Sequence, residues 1–130
     1  MIVLDASAAL EFLLGSSRGQ RVRARMSERE DTLHAPHIID LEVVNALRRL
    51  VRAGHVDESR AHGAIADLHD FSLRRYPHGP LVPRIWELRS NASAYDASYL
   101  ALGEALGAPL LTCDARVAGI PGHRAQVEVI

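Results

Sequence analysis

Four carboxylates in this chain stand where an apolar strand gives way to a helix or in the opening turns of a helix. They are Asp5 at the end of "MIVLD", Glu42 in "HIIDLEVVNALRRL", Asp96 in "AYDASYLALGEALGA" and Asp114 directly after "PLLTC". Three of them have an ordinary structural use. Asp5 can cap the helix that begins at Ala6, Ser93-Ala94-Tyr95-Asp96 matches the S-x-x-D capping pattern, and Asp114 can cap "ARVAG". Glu42 is different. It lies between Leu41 and Val43 in a run that reads as apolar on most of its circumference and hence largely buried, where an uncompensated carboxylate is costly. Asn45 shares its face. Arg49 lies on the same stripe, but two helical turns, about 10 Å of rise, put it beyond a direct bond to Glu42.

The chemistry open to such a set is narrowed by what the chain lacks. All 15 basic residues are arginine. A phosphate-binding P-loop needs a lysine, and so do the phosphotransfer sites that pair aspartates with one. Four converging carboxylates without a lysine would repel one another and raise each other's pKa unless a cation joined them. Hard divalent ions, Mg²⁺ or Mn²⁺, take oxygen ligands and keep waters for a substrate phosphate, which suits phosphodiester hydrolysis. The seven histidines show no H-x-x-x-H or H-E-x-x-H spacing, so zinc is not expected. Cys113 has no basic neighbour to lower its pKa and reads as an inert thiol. Arg18, Arg21, Arg25 and Arg29 share a helix face and read as a solvated stripe rather than an RNA contact. Ser7 and Thr112 flank the acidic edge, with hydroxyls able to fix a carboxylate or a metal-bound water. No aromatic cluster suggests base stacking.

These residues can work together only if the elements bring them to one place. "MIVLD" reads as a strand feeding the helix "ASAALEFLL"; "GSSRGQ" interrupts, and residues 18–30 form a polar helix. "TLHAP" is a second short strand. His37 to Ala53 is a helix closed by Gly54, and "HVDESRAHGAIADLHDF" is another, opened by Val56 or Asp57. "SLRRYP" holds a strand, "GPLVPRIWELRSNAS" a helix, and "AYDASYLALGEALGA" a helix stopped by Gly107 and Pro109. "PLLTC" is a strand, "DARVAG" a turn or two of helix, and "AQVEVI" a closing edge strand. Strands alternating with helices imply parallel pairing, and ligands of such sheets sit beyond the carboxyl ends of the strands. Asp5 and Asp114 leave two strands at that edge, and the helices of Asp96 and Glu42 start there. The expected architecture is a three-layer α/β/α single domain, residues 1–130, with a parallel sheet of about five strands.

At 130 residues and 48% hydrophobic composition the chain is long enough for one sizeable core. No apolar run approaches the roughly 18 to 20 residues of a membrane span, and the first residues lack the form of a secretory signal. A soluble cytoplasmic protein, without a membrane partner, is expected. The net charge of -1 announces no partner.

"MIVLDASAAL", "HIIDLEVVNALRRL" and "YDASYLALGEALGAPLLTCDAR" together resemble the PIN-domain family and, within it, the small VapC-type toxins of toxin–antitoxin pairs. The resemblance runs from the first strand to the last. It implies an endoribonuclease dependent on Mg²⁺, with Mn²⁺ able to substitute, in which Asp5, Glu42, Asp96 and Asp114 match the acidic quartet. Asp5, Asp96 and Asp114 would be metal ligands and Glu42 would orient or deprotonate the attacking water. The products would be a 3′-hydroxyl and a 5′-phosphate. Asn45 matches a frequent polar neighbour of the glutamate, and Thr112 the usual hydroxyl of the T-x-D segment. A homodimer and a VapB-like antitoxin whose tail covers the groove are implied too. Where many PIN domains carry an acid or amide two residues after the fourth acid, this chain has Arg116, which leaves a second metal short of a ligand and offers a contact to phosphate or to Asp114. Two other readings are a PIN-like binding module that keeps the fold without the metal, and a structure-specific DNA nuclease on a related fold.

Overall fold

The computed structural model describes all residues, Met1–Ile130. The elements run β1 (Ile2–Leu4), α1 (Ala6–Leu14), α2 (Ser17–Ser27), β2 (Leu33–Pro36), α3 (Ile39–Arg52), α4 (Glu58–Asp70), β3 (Leu73–Tyr76), a 3-10 turn (Gly79–Leu81), α5 (Val82–Glu87), α6 (Ala94–Leu106), β4 (Leu110–Thr112), α7 (Ala115–Ala118) and β5 (Val127–Val129). The caps are those that the sequence offers. The side chains of Asp5, Ser16, Asp57, Ser93 and Asp114 accept from backbone N–H groups of the helices that follow them, and Gly107, at φ +59°, closes α6 in the left-handed region open to glycine.

All strand pairs are parallel and the order is β3-β2-β1-β4-β5. The expected five-stranded parallel sheet is therefore present. Its first three strands step one way from β1 and the last two step the other way, so the switch point falls between β1 and β4, in the register Val3↔Leu110 and Leu4↔Leu111. Helices α1 to α4 pack on one another, while α6 lies across β1, β2 and β4 beneath α5, as right-handed crossovers of opposite direction require. The 27 buried apolar residues form a single core, centred on β1, β4 and α6.

Two expectations are corrected. The helix that is buried nearly all round is α6, with an unbroken buried run from Ala97 to Gly103, and not α3. Helix α3 buries only Ile39, Val43 and Leu47; Leu41 (68% exposed) and Val44 (41%) face outward. The reason is topological: α6 is enclosed between sheet and α5, whereas α3 packs on α1 and α4 from one side. The helix expected over residues 79–93 is a 3-10 turn followed by α5, which ends at Glu87; residues 88–93 are turns.

Two ion-paired contacts fasten the layers. On α6, Glu104 accepts from Arg84 Nε of α5 (2.7 Å) and from the Arg124 N–H (2.7 Å), and Arg84 also donates to the Gly122 carbonyl (2.9 Å). Arg84 holds the Glu104 carboxyl below the usual carboxylate range. From the arginine stripe of α2, Arg25 is bonded through Nε to Glu128 of β5 (2.6 Å) and lies 3.5 Å from Asp31, so this member of the stripe is structural.

Candidate active site

Asp5 is the innermost of the four acids, only 6% exposed. Its Oδ1 accepts from the Ala8 N–H (2.9 Å) and from Ser7 Oγ (2.6 Å), and its Oδ2 accepts from Thr112 Oγ1 (2.5 Å). The two hydroxyls also bridge to the neighbouring strand end. Ser7 Oγ accepts from the Cys113 N–H and Thr112 Oγ1 from the Asp114 N–H, both at 2.9 Å. Each hydroxyl has one proton, given to Asp5, so the 3.2 Å approach between the two oxygens is a contact without a proton of its own. The network laces the carboxyl ends of β1 and β4 together at the switch point and fixes both Asp5 and the backbone that carries Asp114. Burial pushes the Asp5 carboxyl up, against the pull of its hydrogen bonds.

Glu42, in the first turn of α3, is half-buried, and Tyr99 Oη donates to its Oε1 (2.7 Å). This hydrogen bond is part of the compensation the sequence left unexplained. Desolvation raises the Glu42 carboxyl, and the charges of Asp96 and Asp5 raise it further, which places these three acids within electrostatic reach of one another. Tyr99 is buried and its phenol is pushed strongly up, so it remains a neutral donor. The sequence reading did not single out Tyr99. The available signal was its place in α6, one turn after Asp96 and on the same face.

Asp96 sits in the first turn of α6. Its N–H donates to Ser93 Oγ (3.1 Å), but its carboxylate accepts no hydrogen bond from the protein, so the capping pattern is met by Ser93 alone. Asp114 does cap α7, through the Arg116 N–H at 3.0 Å, and its carboxylate is also gripped by the Arg116 guanidinium at 2.6–3.1 Å. Arg116 holds the Asp114 carboxyl below the ordinary range.

All four acids, with Ser7, Asn45, Tyr99 and Arg116, line one cleft of about 640 Å³. Thr112 lies behind it, reaching the site through Asp5. Arg49, two turns from Glu42, also lines the cleft, and Tyr95 stands exposed in its wall. The donors offered to a ligand are carboxylates, an amide and hydroxyls, with no histidine or cysteine among the lining residues, a set that fits a hard divalent cation and not zinc. Asp96 has both oxygens free, Glu42 one, and Asp5 a remaining lone pair on Oδ2. As the side chains stand, no three His, Cys, Asp or Glu groups are gathered closely enough to hold an ion, and Asp114 is turned onto Arg116. Cys113 takes no part: burial pushes its thiol up to about 11, as expected for an inert group.

A parallel five-stranded sheet with acids collected at its switch point defines a class, and the chain belongs to it: the PIN domain family matches residues 2–122. Within that family it is similar over its whole length to Ribonuclease VapC12 of Mycobacterium tuberculosis, at 39% identity over 100% of this chain and 99% of the relative, and to Ribonuclease VapC9 of the same organism, at 40% over 100% and 98%. The fold matches that of VapBC2 from Rickettsia felis, solved bound to a DNA fragment from their promoter, with a TM-score of 0.72 over 99% of this chain and 98% of that one, at 14% identity. The resemblance drawn from the sequence is thereby borne out. No helix is long and apolar enough to cross a membrane.

Proposed function

We propose that the chain is a divalent-metal-dependent endoribonuclease acting as the toxin of a toxin–antitoxin pair. The observation that carries this reading is the gathering of Asp5, Glu42, Asp96 and Asp114 in one cleft of a chain that matches VapC ribonucleases from end to end. Asp5, Asp96 and Asp114 are the residues to hold Mg²⁺ or Mn²⁺, with Ser7 and Thr112 orienting Asp5. When bound, such an ion polarises a phosphoryl oxygen and makes water a nucleophile at neutral pH. Glu42 accepts the water's proton on the oxygen that Tyr99 leaves free, and Tyr99 keeps that carboxylate aimed. Asn45 and Arg49, which also line the cleft, are the residues to receive the RNA backbone in this reading.

EDTA should abolish cleavage of single-stranded RNA, and Mg²⁺ or Mn²⁺ should restore it. Cleavage that continues in EDTA would overturn the metal mechanism. Uptake of RNA without cleavage in either ion would favour a binding module, and faster cutting of flapped DNA a DNA nuclease. The implied partners are a VapB-like antitoxin and a second copy of the chain. The dimer reading is supported by the exposed apolar side chains Val82 (53%) and Trp86 (65%), one turn apart on α5. A neighbouring gene product that fails to relieve toxicity on co-expression would argue against the antitoxin.

A further inference from the structure

We infer that Arg116 is a displaceable internal counter-cation, which pairs with the Asp114 carboxylate until a divalent cation takes its place and then moves to a phosphate of the RNA. The inference rests on the ribonuclease reading above. Asp114 is held in two ways that differ in permanence. The Arg116 N–H donates to Oδ1 as part of the α7 cap, and this bond stays as long as α7 is folded. The guanidinium is bound to both oxygens, with its shortest bond, 2.6 Å, to Oδ2.

Beyond Asp114 the guanidinium has no partner. The Arg116 side chain is 90% exposed and accepts no other anchor in the structure, so it rests there on a solvated ion pair, which is weak and exchangeable. Releasing it leaves Asp114 still oriented by its cap with Oδ2 open. It also leaves a planar, five-donor cation at the cleft rim, within electrostatic reach of Asp96, suited to a phosphodiester in two-point contact. The exchange leaves each charged group with a partner. An incoming dication replaces the guanidinium among the carboxylates, and an incoming phosphate replaces Asp114 at the guanidinium. It also gives Asp114 a counter-charge in a chain that has no lysine.

Two binding measurements test this, neither depending on turnover. Calorimetric titration of Mn²⁺ into wild type and Arg116→Ala should show the variant binding the ion about three-fold more tightly, because nothing competes for Asp114. Fluorescence anisotropy of a short labelled single-stranded RNA, with Glu42→Gln in both proteins to disable hydrolysis, should show Arg116→Ala binding RNA about ten-fold more weakly in Mg²⁺ but with little difference in EDTA, where the guanidinium of the protein that keeps Arg116 is engaged at Asp114 and unavailable to RNA. Equal Mn²⁺ affinity in the two proteins, or an RNA deficit of the same size with and without Mg²⁺, overturns the hand-over while leaving the ribonuclease reading intact. Weaker binding of both Mn²⁺ and RNA would mark Arg116 as a structural support and overturn it too. Wild-type protein that takes up neither Mn²⁺ nor RNA would remove the underlying reading as well.

Discussion

Each acid of the site is defined by what donates to it. Asp5 has three donors and is a fixed anchor, Asp96 has none and is open, Glu42 has one, and Asp114 shares its oxygens with an arginine. The Tyr99 hydroxyl is therefore the most informative single group to remove. In Tyr99→Phe the Glu42 carboxylate stays half-buried but loses its donor, at a cost of about 1 to 2 kcal/mol in denaturant unfolding at neutral pH. Burial already raises the Glu42 carboxyl and the Tyr99 bond pulls it back, so the variant's carboxyl rises further. Glu42 must be ionised to accept a proton. The acid limb of the cleavage rate against pH should therefore move to higher pH in Tyr99→Phe, with a lowered plateau, and an unmoved limb would remove Glu42 from the role of base.

The elements are set by caps and close approaches, and both can be tested without knowing the substrate. Gly19 lets α2 lie against the end of α1: a Cβ there would be 1.9 Å from the Glu11 carbonyl oxygen, which is backbone and cannot step aside. Gly19→Ala should cost about 2 to 3 kcal/mol, visible as a fall of roughly 8 to 12 °C in melting temperature. A melting temperature within a degree or two of wild type would mean that α2 can shift freely. The junction of α5 and α6 carries a pH signature. Arg84 depresses the Glu104 carboxyl, so the pair's contribution is fully present above the unfolded value of about 4.3 and is lost as pH falls through the lower folded value. Denaturant unfolding from pH 7 to pH 3 should show a steeper acid loss in wild type than in Glu104→Gln, which lacks the linkage and starts about 1 to 2 kcal/mol less stable.

At the scale of the whole molecule, the apolar pair Val82 and Trp86 on α5 bears on the proposed homodimer. Trp86→Glu should convert the dimer to monomer in sedimentation at micromolar concentration while leaving the far-UV spectrum unchanged, since Trp86 makes no part of the core. A monomeric wild type would remove the dimer. The sequence by itself determined the order and type of nearly every element, because strands as short as "IVL" and "LLT" and caps such as Asp5 and Ser93 are local signals that need no distant partner. It determined the identity of the acids as well, since their placement at strand ends and helix starts follows from those elements. Tertiary structure alone decided three things. The side from which α3 is covered was one, because periodicity reports an apolar face but not how much of it a neighbour reaches, so Leu41 and Val44 are exposed where the pattern suggested burial. The donors were another: Tyr99 meets Glu42 across 57 positions of chain, and Thr112 meets Asp5 across 107, separations at which no local pattern operates. The last was the switch point. Composition and alternation predict a parallel sheet, but only the strand order β3-β2-β1-β4-β5 brings the ends of β1 and β4 side by side, and with them the carboxylates whose mutual repulsion the site must balance.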